Sequence, residues 1–252
     1  MTKVFVHGNP ENSRLWSVLF HELRARGAQD LLALSPPGFG APVAEGFEAT
    51  RTGYRSWLID QLEQLGGNVD LVGHDWGALH VYGVLAERPD LLRSWAADVA
   101  GILHPDYVWH DHAQAWQTPG VGEDAIKEMF GRPPDETAAM LTTFDIPSEH
   151  ATVLASDMDE VMGRCVLSLY RSAAQPEMTE LGRRLATTEK RPGLVFIATE
   201  DPFTGTDAMC ESVADTLGAS ICRLEGLGHW WMFSGAAAAG DALIAHWERS
   251  AP

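Results

Sequence analysis

Short apolar runs alternate along the chain with longer stretches in which apolar residues recur at helical spacing. Lys3–Val6 is β-branched and aromatic and predicts a strand that ends at His7-Gly8-Asn9-Pro10. Arg14–Arg26 carries Leu15, Val18, Leu19 and Leu23 at helical spacing, with Gly27 as a stop. Asp30–Leu34 predicts the next strand, followed by the loop Ser35-Pro36-Pro37-Gly38-Phe39-Gly40. Tyr54–Leu65 predicts a helix with Trp57, Leu58, Leu62 and Leu65 on one side. Val69–Val72 predicts a strand of the kind that suits a sheet covered on both faces. Ala78–Ala86 predicts a helix closed by Arg88-Pro89, and Ser94–Val99 a further strand.

From about Ile102 to Lys190 the pattern changes. This stretch is helical or irregular, dense in His, Trp and Met, and without clear strands. Strand patterns resume at Gly193–Ala198 and Ala219–Leu224, and a last helix covers Ala236–Arg249. Strand–helix alternation implies right-handed βαβ units and a parallel sheet. The middle stretch reads as a helical insertion between two sheet halves, so the expected division is a core from 1–101 and 191–252 and a cap from 102–190.

Composition narrows the function classes. A chain of 252 residues with 45% hydrophobic and 21% charged residues is not disordered, collagen-like or coiled-coil. Eighteen Lys and Arg against 35 Asp and Glu give a net charge of −17, which argues against nucleic acid or an anionic membrane surface as partner. Three cysteines without CxxC spacing argue against a disulfide framework or a zinc site and for a reducing, cytoplasmic setting. No basic start followed by an apolar run suggests a signal peptide, and no run of about 20 apolar residues predicts a membrane span. No cofactor is called for; the expected state is a monomer or homodimer.

The sharpest local feature is Val72-Gly73-His74-Asp75-Trp76-Gly77-Ala78, a strand, Gly-x-Asp-x-Gly, then a helix. It has the form of a nucleophile elbow with Asp where a hydrolase usually has Ser. A sharp strand-to-helix turn crowds its neighbours, so glycine suits its flanks. The central side chain is pushed out beside a helix N-terminus, where free N–H groups favour negative charge. The plainer alternative is a surface turn in which Asp75 caps the helix.

Four further segments extend the pattern in order: His7-Gly8-Asn9-Pro10, Ala198-Thr199-Glu200-Asp201-Pro202-Phe203 after a strand, Gly226-Leu227-Gly228-His229-Trp230, and the helical insertion. With the elbow they resemble the α/β-hydrolase superfamily, in its epoxide hydrolase and haloalkane dehalogenase branch. The resemblance covers nearly the whole chain. It implies an α/β fold with a mostly parallel sheet of about six strands, because the family's first two strands have no counterpart before Lys3.

The resemblance also implies roles. Asp75 would attack a saturated electrophilic carbon and form a covalent alkyl ester. His229 would activate the water that hydrolyses it, and Asp201 would hold the imidazole tautomer, with Glu200 as the rival acid. The N–H groups of Asn9 and Trp76 would hold the oxyanion. His7 and His74 read as structural. Trp109, Trp116 and Trp230 are expected to line an apolar substrate pocket, with ordinary core packing as the alternative for each.

The leaving group divides the branch. An epoxide oxygen needs a proton donor from the cap, usually one of two Tyr. Trp116-Gln117-Thr118-Pro119-Gly120-Val121 and Leu169-Tyr170-Arg171 resemble the epoxide hydrolase cap elements, which implies Tyr170 and, four residues before Trp116, His112 as donors. A halide needs N–H donors instead, and the His-Gly-Asn-Pro string is typical of dehalogenases. Opening of an epoxide to a vicinal diol is therefore the leading expectation, with a small apolar substrate and water as the only partners. Haloalkane or haloacid dehalogenation on the same triad is the alternative, and a non-catalytic small-molecule-binding protein the third reading.

Overall fold

The computed structural model describes residues 1–144 and 146–250. Among them six strands form one all-parallel sheet: β1 (Lys3–Val6), β2 (Leu31–Leu34), β3 (Val69–Gly73), β4 (Leu92–Ala97), β5 (Gly193–Ala198) and β6 (Ser220–Leu224). The spatial order is β2-β1-β3-β4-β5-β6. The first helices are α1 (Ser17–Ala25), α2 (Arg51–Gln64) and α3 (Trp76–Glu87). Six more lie between β4 and β5: α4 (Asp111–Gln117), α5 (Val121–Phe130), α6 (Pro134–Thr142), α7 (Ser148–Ala155), α8 (Glu160–Ser172) and α9 (Glu177–Thr187). Then follow α10 (Asp207–Leu217), α11 (Trp231–Ser234) and α12 (Ala236–Arg249). None of these helices is long and apolar enough to cross a membrane.

Alternation along each strand explains the layering. Phe5 of β1 is fully buried and meets Phe20 of α1 at 4.8 Å and Trp247 of α12 at 6.4 Å, both edge-on. Burying one such ring contributes about 1.5–3 kcal/mol. β3 is buried along its whole length, as a strand covered on both faces must be. All six expected strands are present. Several boundaries differ from expectation, three of them for identifiable local reasons. Ser13–Trp16 is a separate 3-10 turn before α1, so the expected helix is two elements. Thr50 accepts the Gly53 N–H at 3.1 Å, which starts α2 three residues early at Arg51. β4 ends at Ala97 because Val99 adopts a left-handed φ of 47°.

The strand order places the site. The chain passes from β1 outward to β2 and then crosses back to β3 on the other side of β1. In parallel sheets the loops at the carboxyl ends of strands part at such a reversal and leave a crevice. Val6 pairs with Gly73, so the loops after β1 and β3 leave the sheet side by side. These loops are His7-Gly8-Asn9 and His74-Asp75-Trp76.

Candidate active site

Asp75 sits between the end of β3 and the first residue of α3, with φ 51° and ψ −121°. A positive φ at a non-glycine residue is strained, and here it turns the side chain out at the head of the sheet. The turn needs bare neighbours. A Cβ on Gly77 would lie 2.0 Å from the Val6 carbonyl oxygen, and one on Gly8 would lie 2.1 Å from Asp75 Oδ2. Gly8 is thus the reason the carboxylate can lie against the β1 loop.

Asp75 Oδ2 accepts the Asn9 backbone N–H at 3.0 Å and the Asn9 side-chain amide at 3.4 Å. Trp76 opens α3, so its backbone N–H is one of that helix's first-turn donors. His229 lies in the loop after β6. Its Nδ1–H donates to Asp201 Oδ2 at 2.7 Å, and its Nε2 stands 4.0 Å from Asp75 Oδ1. Asp201 Oδ1 accepts the Phe203 N–H at 2.9 Å, which fixes the acid, while Glu200 faces solvent. Asp75, Asp201 and His229 therefore meet, and Asp201 rather than Glu200 is the acid in contact. Burial pushes the Asp75 carboxyl up to about 6, against the pull of His229. Burial also opposes charge on His229, but Asp201 and Asp75 outweigh it and raise the imidazole above its ordinary value.

Tyr170 on α8 reaches the same place. Its hydroxyl lies 3.4 Å from Asn9 Nδ2, and its ring meets Trp76 edge-on at 4.9 Å. Two cross-braces hold it there. Gln117 donates to the Tyr170 carbonyl at 3.3 Å, and Arg171 donates to the Trp116 carbonyl at 3.2 Å while pairing doubly with Glu123 at 2.8 Å. The Gln-x-Pro-Gly and Tyr-Arg elements thus lock to each other. Burial and the negative charge of Asp75 raise the Tyr170 phenol far above its usual value, so it is a neutral hydroxyl at any physiological pH.

The other expected site residues divide. Trp116, Trp230 and His112 line a cavity of about 80 Å³ together with Asp75, Tyr170 and His229. Its apolar wall includes Pro10, Met129, Met140, Leu141, Phe144 and Phe203. Trp109 does not line it; it is buried behind Trp76 and Tyr170, stacked on Trp76 at 6.2 Å. His112 is exposed at the rim. It belongs to the first turn of α4, and its ring stacks on Trp116, one helical turn on, at 6.0 Å. His110 also lines the cavity and is more buried. As the N-cap of α4 it accepts the Ala113 N–H on Nδ1 at 3.3 Å, which leaves Nε2 as the protonated nitrogen of the neutral ring. Burial and the neighbouring His112 lower its pKa to about 4, so that ring stays neutral. Both histidines thus line the cavity, and His110 is the one whose tautomer a backbone contact sets.

Sequence reasoning passed over Glu11 and Asp98. Both are buried and flank His74: Asp98 is hydrogen-bonded to Nδ1 at 2.5 Å, and Glu11 lies 3.4 Å from Nε2 as a charge neighbour without hydrogen-bond geometry. Their one visible signal was position, since each follows the carboxyl end of a strand, β1 or β4. Glu11, His74 and His229 place metal-ligand-type atoms within 4.8 Å of one another. Both Glu11 oxygens and His74 Nδ1 already have protein partners, so the group is a charge network.

Comparison with known proteins bears on family and fold. The profile of the Alpha/beta hydrolase family matches residues 4–242. A haloalkane dehalogenase from Agrobacterium fabrum (strain C58 / ATCC 33970) is 33% identical over 173 residues, 60% of this chain and 56% of the relative. Epoxide hydrolase 2 from Siraitia grosvenorii is 31% identical over 137 residues, 48% of this chain and 42% of the relative. The chain thus spans about half the length of the curated relatives it matches. A solved haloalkane dehalogenase from Agrobacterium tumefaciens C58 superposes with a TM-score of 0.78 at 21% identity, covering 99% of this chain and 90% of the other. Fold, motif order and profile lead to one conclusion: the chain belongs to the alpha/beta hydrolase family.

Proposed function

We propose that the protein hydrolyses a small, neutral epoxide to a vicinal diol. The observation that carries this reading is Tyr170, a neutral phenol 3.4 Å from Asn9 Nδ2 in the wall of the cavity that holds Asp75. One Asp75 oxygen attacks an epoxide carbon; the C–O bond breaks, and the opening oxygen takes the Tyr170 proton. The negative charge of Asp75 opposes a phenolate beside it, and esterification removes that charge as the phenolate forms. Water then gives a proton to His229 Nε2 and attacks the ester carbonyl, with Asn9 N–H and Trp76 N–H facing the oxyanion. The tetrahedral species expels the diol oxygen, which takes the proton from His229, and the remaining proton restores Tyr170. The helices from α4 to α8 serve as the cap that brings Tyr170, His110 and Trp116 to the nucleophile. The net charge of −17 plays no part, because the substrate is uncharged.

One observation favours a second reading. Asn9 Nδ2 lies 3.4 Å from Asp75 Oδ2, where a departing halide would meet an N–H donor, and Trp76 is adjacent. On that reading the same ester forms with loss of halide, and no acid is needed. Incubation with styrene oxide and with 1-bromobutane separates the two. Phenylethanediol without bromide release is expected; bromide release without diol transfers the assignment to dehalogenation, and neither product with a folded protein overturns both.

A further inference from the structure

Behind the catalytic groups lies a second, fully buried set of charges. His74, next to Asp75 in sequence, holds Nδ1 2.5 Å from Asp98 Oδ2 and Nε2 3.4 Å from Glu11 Oε1. Its ring centre is 4.6 Å from that of His229. The two carboxylates collect N–H donors from three loops of the site, those after β1, β3 and β6. Asp98 accepts the Asp75 backbone N–H at 2.9 Å and the Trp231 indole at 2.8 Å. Glu11 accepts the Gly8 N–H at 3.1 Å and the Trp230 indole at 2.7 Å. Gly8 precedes Asn9, and Trp230 and Trp231 follow His229.

Two buried carboxylates this close to His229 would by themselves stabilise its protonated form, and a protonated imidazole cannot act as a base. We propose that Glu11, His74 and Asp98 form a charge-balanced strap, in which His74 stands as a permanent imidazolium so that the two carboxylates can anchor the loops of Asn9, Asp75 and His229 without holding His229 protonated. His74 and its partners are positioning residues, since none of them lines the cavity. The proposal rests on His229 being the general base.

The charges facing His229 are consistent with that balance. They are Asp201 after β5, Asp75 and His74 at the elbow, Asp98 after β4, Glu11 after β1 and His110 before α4. Burial works against charge on His74, and Asp98 and Glu11 overcome it, raising the imidazole well above its ordinary value. Burial likewise works against charge on Glu11 and Asp98, and His74 draws both carboxyls below their usual range.

Titration of the full chain labelled with ¹⁵N-histidine, read by long-range ¹H–¹⁵N correlation from pH 5.5 to 9.5, tests this without any substrate. His74 is expected to keep both ring nitrogens protonated through pH 8 while His229 titrates. His74→Gln leaves two unbalanced carboxylates and is expected to raise the His229 midpoint by about one pH unit. Glu11→Gln removes one negative charge and is expected to lower it by a similar amount. Opposite signs separate charge balance from general loosening, which would move both variants alike. A neutral His74 at pH 7, or folded variants whose His229 midpoints stay put or move together, overturns the strap. Should His74→Gln not fold, wild-type His74 and Glu11→Gln still decide. If these shifts appear while neither styrene oxide nor 1-bromobutane is consumed, the strap stands and the catalytic reading fails. If styrene oxide is hydrolysed, the acid limb of ester breakdown moves with the His229 midpoint in each variant.

Discussion

His229 Nε2 stands 4.0 Å from Asp75 Oδ1, beyond hydrogen-bonding reach. The carboxylate is therefore not tied to the imidazole, as the proposed reaction requires of a nucleophile that must meet a substrate. On the proposed reading this spacing separates the two chemical steps between two side chains.

Replacing His229 removes only the second step. His229→Gln is expected to slow turnover by about 10²–10⁴-fold while leaving alkylation of Asp75 intact. Intact-mass measurement after exposure to styrene oxide should show one added substrate mass, and peptide mapping should place it on Asp75. Substrate consumption with an unmodified protein would count against Asp75 as nucleophile.

The proposed proton donors are separable in the same way. Tyr170→Phe is expected to reduce diol formation by about 10²-fold or more with little loss of stability. His110→Phe should slow ring opening more than His112→Phe does, because only His110 has its tautomer set by the α4 N-terminus. An unchanged rate in Tyr170→Phe, alongside bromide release from 1-bromobutane, is the result expected of the halide chemistry instead.

Acid should disable the nucleophile. The Asp75 carboxyl, raised by burial to about 6, is neutral below that pH and anionic above it. The alkylation rate, read by rapid quench between pH 4.5 and 9, is expected to be flat above neutrality. It should fall about tenfold per unit well below pH 6. A rate that stays level down to pH 4.5 would mean that Asp75 ionises like an exposed aspartate.

Gly8 offers a steric test. In Gly8→Ala the new methyl would meet Asp75 Oδ2 at 2.1 Å, so the carboxylate must swing away from the Asn9 N–H. Misplacement on that scale is expected to cost about 10²-fold in activity, and overpacking about 1–3 kcal/mol of stability in chemical denaturation. Wild-type activity would show that the Asn9–Asp75 contact is dispensable.

Elements whose pattern repeats locally were legible in the chain. Lys3–Val6 and Gly193–Ala198 emerge as strands with the expected bounds, and Ala236–Arg249 as the last helix. Boundaries failed where one side chain or one dihedral decided them, at the Thr50 cap and at Val99. The second cap histidine escaped notice for a related reason. His110 and His112 are two residues apart and equally polar in sequence; a helix N-terminus at Asp111 turns one into an N-cap beside the cavity and sends the other onto Trp116 at the rim.

By itself the sequence carried the parallel α/β order, the elbow at Asp75 and, through its resemblance to the α/β-hydrolase superfamily, the motifs around His229, Asp201, Trp116 and Tyr170. These depend on periodicity and on motifs a few residues long. Tertiary structure alone decided that Asp201 rather than Glu200 touches His229, that Glu11 and Asp98 flank His74, that Trp109 backs the site rather than lining it, and that His110 joins His112 at the cavity. Each of those facts joins residues distant in sequence or depends on which way a ring turns. Such contacts follow from how strands and helices pack, and no local pattern records them.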